Sequence, residues 1–534
     1  MQAGNVDLII FPQVGITVEW PLGTIIDAQP GVDSLWETLN SRLNETSADW
    51  ILFWDISLGA PDSELINQLA QKPVDVFHAG LKLGTAGLPD VLNYVHPTWM
   101  YNVDGSTDIT HSNFRLSFHA CMIRTSVMKK LGLFSTEYSS LKMAGIAFGY
   151  QILKQGGILR YHSSFVKGTP TLKTATHTLK DEWTFARQYF TRKWQYWTLF
   201  NKTGFWKNLS AWSGTKNVRY IDHSRKLFSS DKTNTPVTRA TVSILAPTLD
   251  RYLYIEEELR ELNEQTILPH EVLITDQTDK ERRQEIDFTK YEKLTVKYFP
   301  QDEKGQCLAW NKLIDESTSE YIFFFGDDAY NIKPDLIEKM LQTMYRFDAD
   351  MVASNVIEKG IVYGPQNYHY YMADSFPITL IKKEVVTQAG GMDMFFNRNV
   401  KADHDLAMRC HLNGALMIFD PSAEIGHHRA PSGGLRAHNA RVITNFMTKN
   451  SLTKVLNPST SEIFIYNKYY TWRQFKQHVR IKYFNQLLIN GSVLKKILRL
   501  FVLLYKLPSM RKEYKANLET TFAEFDKRGI QVKK

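Results

Sequence analysis

The feature that most constrains this chain is a run of five apolar or aromatic residues that leads directly into two adjacent carboxylates. The run is Tyr321-Ile322-Phe323-Phe324-Phe325, and it is followed by Gly326-Asp327-Asp328. A continuous run of this kind predicts a strand that is buried on both faces. Ligands of open α/β sheets collect at the carboxyl ends of strands, where two carboxylates suit Mg2+ or Mn2+. A solvated Asp-Asp turn is the competing interpretation.

The composition indicates an ordinary globular protein that is large enough for two or three domains. The chain has 534 residues, of which 43% are hydrophobic and 22% are charged. Its net charge of +8 favours anionic partners such as a nucleotide, a lipid phosphate or a membrane surface. Cys121, Cys307 and Cys410 are far apart in the sequence, which predicts reduced core thiols of a cytosolic protein.

No targeting or membrane-spanning segment is predicted. The first residues lack the basic and apolar regions of a signal peptide. No uncharged run reaches the ~20 residues that a membrane-spanning helix needs. We therefore expect a cytoplasmic location, with peripheral association at the inner face of the cell membrane as an open alternative.

Strands alternate with helices twice along the chain, which predicts an α/β fold with an internal repeat. Asp55 precedes Pro61-Asp62 at the spacing by which Asp328 precedes Pro334-Asp335, and residues 121–157 parallel residues 379–415. The positions matched in this way to Asp327, Asp328 and Asp403 are Trp54, Asp55 and Gly145. The first half is therefore expected to keep the scaffold with Asp55 as its one remaining acidic group of the three, and a lone Asp is a poor metal site.

A second acidic element, Asp403-His404-Asp405, begins a predicted helix. Asp405 and Arg409 are four residues apart and are expected to form a structural ion pair. Asp403 is a candidate for a carboxylate that faces the cleft, and a helix N-cap is its alternative role. His427 or His428 is a candidate metal ligand, with a surface-loop histidine as the alternative, and residues 431–434 are expected to form a mobile loop over the substrate.

Five segments of the second half occur in a characteristic order and spacing. The segments are Pro247-Thr248-Leu249-Asp250-Arg251, Leu273-Ile274-Thr275-Asp276-Gln277-Thr278, Ala309-Trp310-Asn311, Gly326-Asp327-Asp328, and Asp403-His404-Asp405-Leu406 with Arg409. Through these segments, residues 240–430 resemble a family 2 glycosyltransferase of the GT-A fold, and residues 1–165 resemble the same family faintly.

The resemblance implies a role for each matched residue. Asp328, with His428 or His427, would bind Mn2+ or Mg2+ on the donor diphosphate. Asp403 would be the catalytic base. The residues expected around the nucleotide-sugar are Pro247, Thr248, Asp250, Arg251, Asp276, Gln277, Asn311 and Asp327.

Two departures from the family pattern bear on these roles. Gln277 stands where a second acid is often found, which puts a preference for a uracil base in doubt. Ala402 stands where a Glu often precedes the catalytic Asp, so Asp403 must rely on other neighbours.

The fold implied is two tandem GT-A domains with mixed, mainly parallel sheets and a C-terminal helical region. The expected function is inverting, metal-dependent transfer from a nucleotide-diphospho-sugar, with a UDP-sugar favoured, to a glycan or lipid-linked acceptor in bacterial surface polysaccharide or glycoconjugate synthesis. The expected parts are a degenerate GT-A-like domain (1–165), a helical segment and linker (166–236), the catalytic domain (237–440) and a basic, aromatic-rich helical region (441–534).

Three other functions were weighed against transfer by one active half. A bifunctional two-site polysaccharide polymerase and a non-catalytic glycan-binding pseudoenzyme remain open; aromatic residues such as Trp54 and Trp99 would suit stacking on sugar rings. A Gly-Asp-Asp also marks RNA polymerases, but the chain lacks an evident strongly basic channel, and no nucleic acid partner is expected.

The last hundred residues mix apolar and basic residues at helical spacing. Residues 493–515 are expected to lie on an anionic membrane surface, with Lys495, Lys496 and Arg499 toward lipid phosphates. A helix packed on the catalytic domain or on a partner chain is the alternative. The oligomeric state is not predicted.

Overall fold

A computed structural model gives the fold of the chain. The structure describes residues 5–13, 17–85, 89–103, 105–168, 177–221, 237, 239–358, 369–370, 378–428 and 445–533. Residues 229–236 of the predicted helical segment and linker, and the predicted loop at 431–434, lie outside the described residues.

The first half contains a mixed seven-stranded sheet with helices. Its elements are β1 (Val6–Phe11), β2 (Ile25–Asp27), α1 (Val32–Arg42), β3 (Trp50–Asp55), α2 (Ser63–Ala70), β4 (Val76–His78), β5 (His111–Ser112), β6 (Ala120–Arg124), α3 (Thr125–Leu131), α4 (Leu141–Lys154) and β7 (Leu159–Tyr161). Three helices follow the sheet: α5 (Leu179–Tyr189), α6 (Arg192–Asn201) and α7 (Phe205–Gly214). The two neighbouring strands β1 and β3 are apolar almost throughout and buried, as expected of strands covered on both faces.

The second half contains a nine-stranded sheet. Its elements are β8 (Val242–Thr248), α8 (Tyr252–Leu262), β9 (Glu271–Asp276), β10 (Val296–Pro300), α9 (Gln306–Glu316), β11 (Tyr321–Phe324), β12 (Ala329–Tyr330), α10 (Leu336–Phe347), β13 (Met351–Glu358), β14 (His369–Tyr370), β15 (Thr379–Lys382), α11 (Lys383–Gln388), α12 (Ala402–Leu412) and β16 (Met417–His427). The expected mixed, mainly parallel α/β architecture is confirmed.

The two sheets share one strand order. The first runs β2-β1-β3-β6-β4-β7-β5, and the second contains β9-β8-β11-β15-β13-β16 in the same sense, with β14 paired to β16 as β5 is paired to β7. Strand directions agree as well: β1–β3 and β8–β11 are parallel, and β3–β6 and β11–β15 are antiparallel. This common order supports the predicted repeat, to which the second sheet adds β10 and β12.

The strand register fixes how the two halves correspond. Trp50 pairs with Arg124 across the β3–β6 ladder, and Tyr321 pairs with Lys382 across β11–β15. Arg124 and Lys382 are matched to each other in the repeat. Trp50 therefore corresponds to Tyr321.

This register corrects the predicted match at the end of the strand. Counting from Trp50 and Tyr321, Asp55 corresponds to Gly326. The match of residues 54–55 with Asp327-Asp328 was therefore wrong by two positions, because two extra residues separate β11 from the helix that follows it. The two carboxylates lie in this longer connection, and the first half has no acidic residue at their positions.

The C-terminal helices join the two halves. They are α13 (Asn445–Asn450), α14 (Thr460–Tyr469), α15 (Trp472–Asn485) and α16 (Val493–Arg528). The Tyr466 hydroxyl of α14 is 2.8 Å from His96 of the first half, and Lys468 pairs with Asp405 of the second. One core cluster includes residues of both halves and of α14.

Two predictions about exposed side chains were wrong. Trp54 and Trp99 are 3% and 1% exposed, so they belong to the core and offer no face to a sugar. Arg499 is completely buried, because its guanidinium donates to the backbone carbonyls of Leu452, Lys454 and Gln486. The three cysteines are buried free thiols, as predicted.

Within the described part of the chain, no helix is long and apolar enough to cross a membrane.

Candidate active site

The strand order of the second sheet brings the segments after β8 and β11 together. From β8 the chain steps outward to β9 and β10, and it then returns to place β11 on the other side of β8. Such a reversal is the topological switch point at which open α/β sheets bind ligands. Because β8 and β11 are parallel, both end at the same edge of the sheet.

Arg251 and the paired carboxylates meet at this switch point. Gly326 has a φ of +94°, a left-handed value that glycine adopts without steric cost, and this turn leads from β11 into Asp327 and Asp328. Arg251 Nη1 lies 2.5 Å from Asp327 Oδ1 and 3.4 Å from Asp328 Oδ2. The predicted Arg251, Asp327 and Asp328 therefore form one cluster.

Asp327 is the residue of the cluster whose pKa is raised by burial. It is 7% exposed, and burial raises its pKa to about 6 although the Arg251 guanidinium acts to lower it. The charge of Asp328 raises the pKa of Asp327 further. Perturbed carboxylates of this kind concentrate where a protein binds or transforms a ligand.

The two adjacent histidines point to different partners. β12 pairs with the end of β16, so Ala329 lies opposite His427. His427 Nε2 is 3.0 Å from Asp328 Oδ1. His428 Nε2 instead lies 2.9 Å from Glu257, and its ring contacts those of Tyr254 and Tyr330. The geometry therefore selects His427 over His428 beside Asp328.

A buried carboxylate that sequence reasoning missed supports the acidic turn. Glu258 of α8 is 2% exposed and accepts the backbone N–H of Ala329 at 2.7 Å. Burial raises the pKa of Glu258 well above its ordinary value, and the charges of Asp327 and Asp328 act in the same direction. Glu258 lies on the helix face that also buries Ile255, so a charged residue within an apolar stripe was the available signal.

Asp276 and Gln277 lie at the end of β9, and both side chains form hydrogen bonds within the protein. Asp276 is fully buried and accepts hydrogen bonds from the hydroxyls of Tyr252 at 2.7 Å and Tyr298 at 2.6 Å. Gln277 Oε1 accepts the N–H of Gly305 at 2.6 Å. The expected place of these two residues around the nucleotide-sugar stays a prediction, and Tyr252 and Tyr298 are partners of Asp276 that sequence reasoning missed.

Of the other predicted residues at the end of β8, Pro247 and Asp250 are partly accessible, whereas Thr248 is buried. Thr248 pairs with Asp276 in the β8–β9 register, and Pro247 precedes it half-buried. Asp250 adopts a left-handed φ of 59° and pairs with Arg282 at 3.0 Å. Pro247, Thr248 and Asp250 thus line the same edge of the sheet as Arg251.

Asp403 and Asp405 behave differently in the first turn of α12. Asp405 is fully buried and accepts from Arg409 at 2.7 Å, Lys468 at 2.7 Å and Tyr469 at 2.6 Å, which confirms the predicted structural pair. Asp403 is half-buried and is not the N-cap, which is Lys401. The structural alternative for Asp403 is therefore not supported.

Comparison with known proteins assigns the segment that contains this cluster. Residues 243–405 match the family model Glycosyl transferase family 2. This chain carries a family 2 glycosyltransferase domain. No curated protein matches the sequence.

Solved structures similar to this chain include a mannosyltransferase and S. aureus TarS. A mannosyltransferase, PcManGT from Pyrobaculum calidifontis in complex with GDP-Man and Mn2+, is 15% identical, with 56% of this chain and 79% of that chain covered and a TM-score of 0.32. Residues 1–349 of S. aureus TarS in complex with UDP-GlcNAc are 14% identical, with 54% and 92% covered and a TM-score of 0.34. Since these identities are low, the assignment rests on the family model.

Asn311, a predicted donor-binding residue of the glycosyltransferase domain, forms a structural pair with Met392. The Asn311 side-chain amide donates to the Met392 carbonyl at 2.9 Å, and its oxygen accepts the Met392 N–H at 2.7 Å. This reciprocal pair ties α9 to the segment before α12. The contact of Asn311 with the donor stays a prediction.

The possible metal ligands in the glycosyltransferase domain suit a divalent cation that would also be ligated by a bound substrate. No group of three or more His, Cys, Asp and Glu side chains suited to hold a metal is found among the described residues. Mg2+ is usually held by one or two carboxylates together with substrate phosphates and water. Asp328, with the neighbouring His427 imidazole, provides such a partial set for Mg2+ or Mn2+.

The first half has a different arrangement at its own switch point. His119 donates to Asp55 at 2.9 Å, and the Ser57 N–H donates to the same carboxylate at 3.0 Å. Burial acts to raise the pKa of Asp55, but these hydrogen bonds lower it below its ordinary value. Gly145 stands at the position of Asp403, and a Cβ there would lie 2.8 Å from the Leu116 carbonyl oxygen. A base carboxylate has no room at that position.

Proposed function

We propose that residues 237–440 catalyse inverting, metal-dependent transfer of a sugar from a nucleotide-diphospho-sugar to a hydroxyl of a glycan or lipid-linked acceptor. The observation that carries this proposal is the cluster of Arg251, Asp327, Asp328 and His427 at the switch point of the second sheet. A role in bacterial surface polysaccharide or glycoconjugate synthesis would follow from such an acceptor.

The donor occupies the edge of the sheet formed by the ends of β8 and β11. Asp327 accepts from the ribose side of the nucleotide, and Arg251 holds that carboxylate in place. Asp328 and His427 would hold Mn2+ or Mg2+, and the bound ion would supply Lewis-acid stabilisation of the departing diphosphate. Pro247, Thr248 and Asp250 border the nucleoside. UDP-sugars are the first donor class to test.

Asp403 supplies the base. The acceptor hydroxyl gives its proton to the Asp403 carboxylate as its oxygen forms a bond to the anomeric carbon. The bond from that carbon to the diphosphate oxygen breaks, and the nucleoside diphosphate leaves with the electron pair. A base on the side of the sugar opposite the leaving group gives inversion, by the logic that separates inverting from retaining glycosidases.

We further propose that residues 1–165 do no chemistry. Asp55 is occupied by His119 and Ser57, and backbone fills the space that a base at residue 145 would need. This half instead supports the catalytic half. Lys72 pairs with Asp348 at 2.8 Å, and Arg160 donates to the Gly414 carbonyl at 2.8 Å.

The test is a screen of nucleotide-sugars for release of nucleoside diphosphate. Purified protein is incubated with UDP-, GDP- and dTDP-sugars, with Mn2+, with Mg2+ or with EDTA. The proposal predicts release from at least one donor that stops in EDTA and returns with added metal. Release that is unchanged in EDTA would contradict metal dependence, and absence of both release and nucleotide-sugar binding would contradict the donor class.

A further inference from the structure

The first half of α16 exposes a continuous apolar stripe. Its exposed fractions range from 44% at Leu498 to 85% at Tyr505. At about 100° per residue these side chains fall within roughly 160° of the helix circumference over about 20 Å of its length. The stripe consists of Val493, Leu494, Ile497, Leu498, Leu500, Phe501, Leu504 and Tyr505.

The opposite side of α16 attaches the helix to the protein. Arg499 and Met510 lie about half a turn of the helix away from the centre of the stripe, and both are buried. The three backbone carbonyls that receive Arg499 fix the rotation of the helix about its axis. The stripe is therefore held outward by the fold, and it faces away from the surface on which α16 is packed.

The charge of the chain is concentrated around this helix. Residues 463–512 contain eleven Lys and Arg residues and no Asp or Glu. Because the whole chain carries +8, the other 484 residues together carry −3. Lys468 and Lys482 are paired inside the protein. Lys496, Arg511 and Lys512 are exposed on α16.

We propose that the stripe and the basic turn after it dock α16 onto an anionic lipid surface. Arg511, Lys512 and Lys515 follow the stripe on the same side of the helix and are exposed, and Lys515 also lies 3.7 Å from Glu519. Apolar side chains then enter the boundary between headgroups and acyl chains, and the basic turn meets lipid phosphates. This surface goes beyond the transfer reaction and does not depend on it.

Exposed aromatic residues extend the apolar surface beyond α16. Phe484 of α15 is 45% exposed and contacts the ring of Trp197 in α6 at 5.7 Å. Nearby, Phe200 and Trp206 are 73% and 77% exposed. A cavity of about 500 Å³ lies between these helices and α16, lined by Trp197, Phe484 and Leu503 among others. Aromatic rings with one wet edge are typical of membrane interfaces.

The charges favour lipid over a second copy of this chain as the occupant. Two copies joined through the stripe would bring two segments without a single acidic residue into contact, and like charges that meet in an interface repel each other. An anionic bilayer provides both an apolar layer and the opposite charge.

The experiment labels a single introduced surface cysteine with a maleimide. This is feasible because all three native cysteines are buried. Tyr505→Cys on the stripe and Thr520→Cys on the same helix outside it are each labelled with an environment-sensitive fluorophore. The full-length proteins are mixed with vesicles of phosphatidylcholine alone or with phosphatidylglycerol, and binding is also measured by flotation. We expect a blue shift at 505 but not at 520, with anionic vesicles.

Two further variants separate the apolar and the basic contributions. Phe501→Glu with Leu504→Glu should abolish flotation, whereas Leu268→Glu, at an exposed leucine outside the C-terminal region, should not change it. Arg511→Gln with Lys512→Gln and Lys515→Gln should weaken binding to anionic vesicles roughly 100-fold, since each basic residue contributes about fivefold at such a surface.

Three results would overturn the proposal. The first is no shift at residue 505 with either kind of vesicle. The second is equal binding by the Phe501→Glu, Leu504→Glu protein and the unchanged protein. The third is a shift at residue 505 that needs no vesicles and grows with protein concentration, because it would assign the stripe to a second copy of the chain.

Discussion

The guanidinium of Arg251 lies 2.5 Å from a carboxylate oxygen of Asp327, and both side chains are buried where two parallel strands end. Arg251 opens α8 and Asp327 follows β11, so this contact joins the two segments that flank the switch point. Burial nevertheless raises the pKa of Asp327 to about 6. The site thus retains a carboxylate at a cost to stability, which is typical of residues kept for binding or catalysis.

The metal site is tested by neutralising its carboxylate. Asp328→Asn should abolish transfer while the fold is kept, because an amide is a neutral and weaker ligand for Mn2+ or Mg2+. Asp327→Asn should chiefly weaken nucleotide-sugar binding. The measurements are nucleoside diphosphate release against metal concentration and circular dichroism for the fold. Full activity of Asp328→Asn in excess EDTA would remove Asp328 from the metal site.

Substitution of each of the two adjacent histidines tests which one contributes to Mn2+ binding. His427→Ala should lower the affinity of the protein for Mn2+, because His427 lies 3.0 Å from Asp328. His428→Ala removes only the contacts with Glu257 and the neighbouring aromatic rings and should leave Mn2+ affinity nearly unchanged. Calorimetric titration of both variants with Mn2+ in the presence of nucleoside diphosphate makes the comparison. The reverse order of affinities would return the assignment to His428.

The proposed base is tested by separating turnover from donor binding. Asp403→Asn should cut kcat by roughly 100-fold or more, the usual scale for a general base. Donor affinity should stay nearly constant, because Asp403 belongs to α12 and not to the segments that hold the nucleotide. A collapse of donor affinity at unchanged kcat would make Asp403 a donor ligand.

The buried carboxylates of the two halves should respond to pH in opposite ways. Because the pKa of Asp327 is raised, the native state binds that proton more tightly, so stability falls as pH rises from about 4 to about 6. Above pH 6 the ionised group costs about 3 kcal/mol, from a shift of about two pKa units. In EDTA at pH 8, Asp327→Asn should therefore raise the midpoint of thermal unfolding, and the gain should vanish near pH 4.

Asp55→Asn is the matched control for that measurement. The pKa of Asp55 is lowered, so its contribution to stability is present above its unfolded pKa near 4 and is lost as pH falls through the folded value. At pH 8 the substitution should lower the midpoint. A fall with Asp327→Asn as large as that with Asp55→Asn would make Asp327 a structural residue like Asp55.

Periodicity and strand endings were sufficient to predict the α/β architecture and the position of Asp327 and Asp328 at the end of a buried strand, whereas Arg251 was named through the family resemblance. The strand of residues 242–248 and the strand that begins at Tyr321 were both indicated by apolar runs, and ligand-binding residues follow such strands directly. Their convergence follows from parallel pairing, which brings strand ends to one edge.

Contacts between residues that are distant in the sequence could not be predicted from it. Asp276 lies where a residue that binds the nucleotide-sugar was expected, but it accepts hydrogen bonds from the hydroxyls of Tyr252 and Tyr298. No local sequence pattern predicts these hydrogen bonds. Asn311 is likewise used by Met392, which is 81 residues away. The two-residue error at Asp55 arose because spacing to the next helix was counted, and an insertion had changed that spacing.

The central claim is that one half of the chain does the chemistry, and it is tested by removing one carboxylate from each half. Asp55→Ala and Asp328→Ala are made separately, and the sugars added to acceptor are counted by mass spectrometry with the donor found by the screen. The account predicts that Asp328→Ala stops all transfer and that Asp55→Ala leaves every addition in place. Loss of one of two distinct sugar additions in Asp55→Ala would contradict it, because the first half would then be a second active transferase and the chain a bifunctional polymerase.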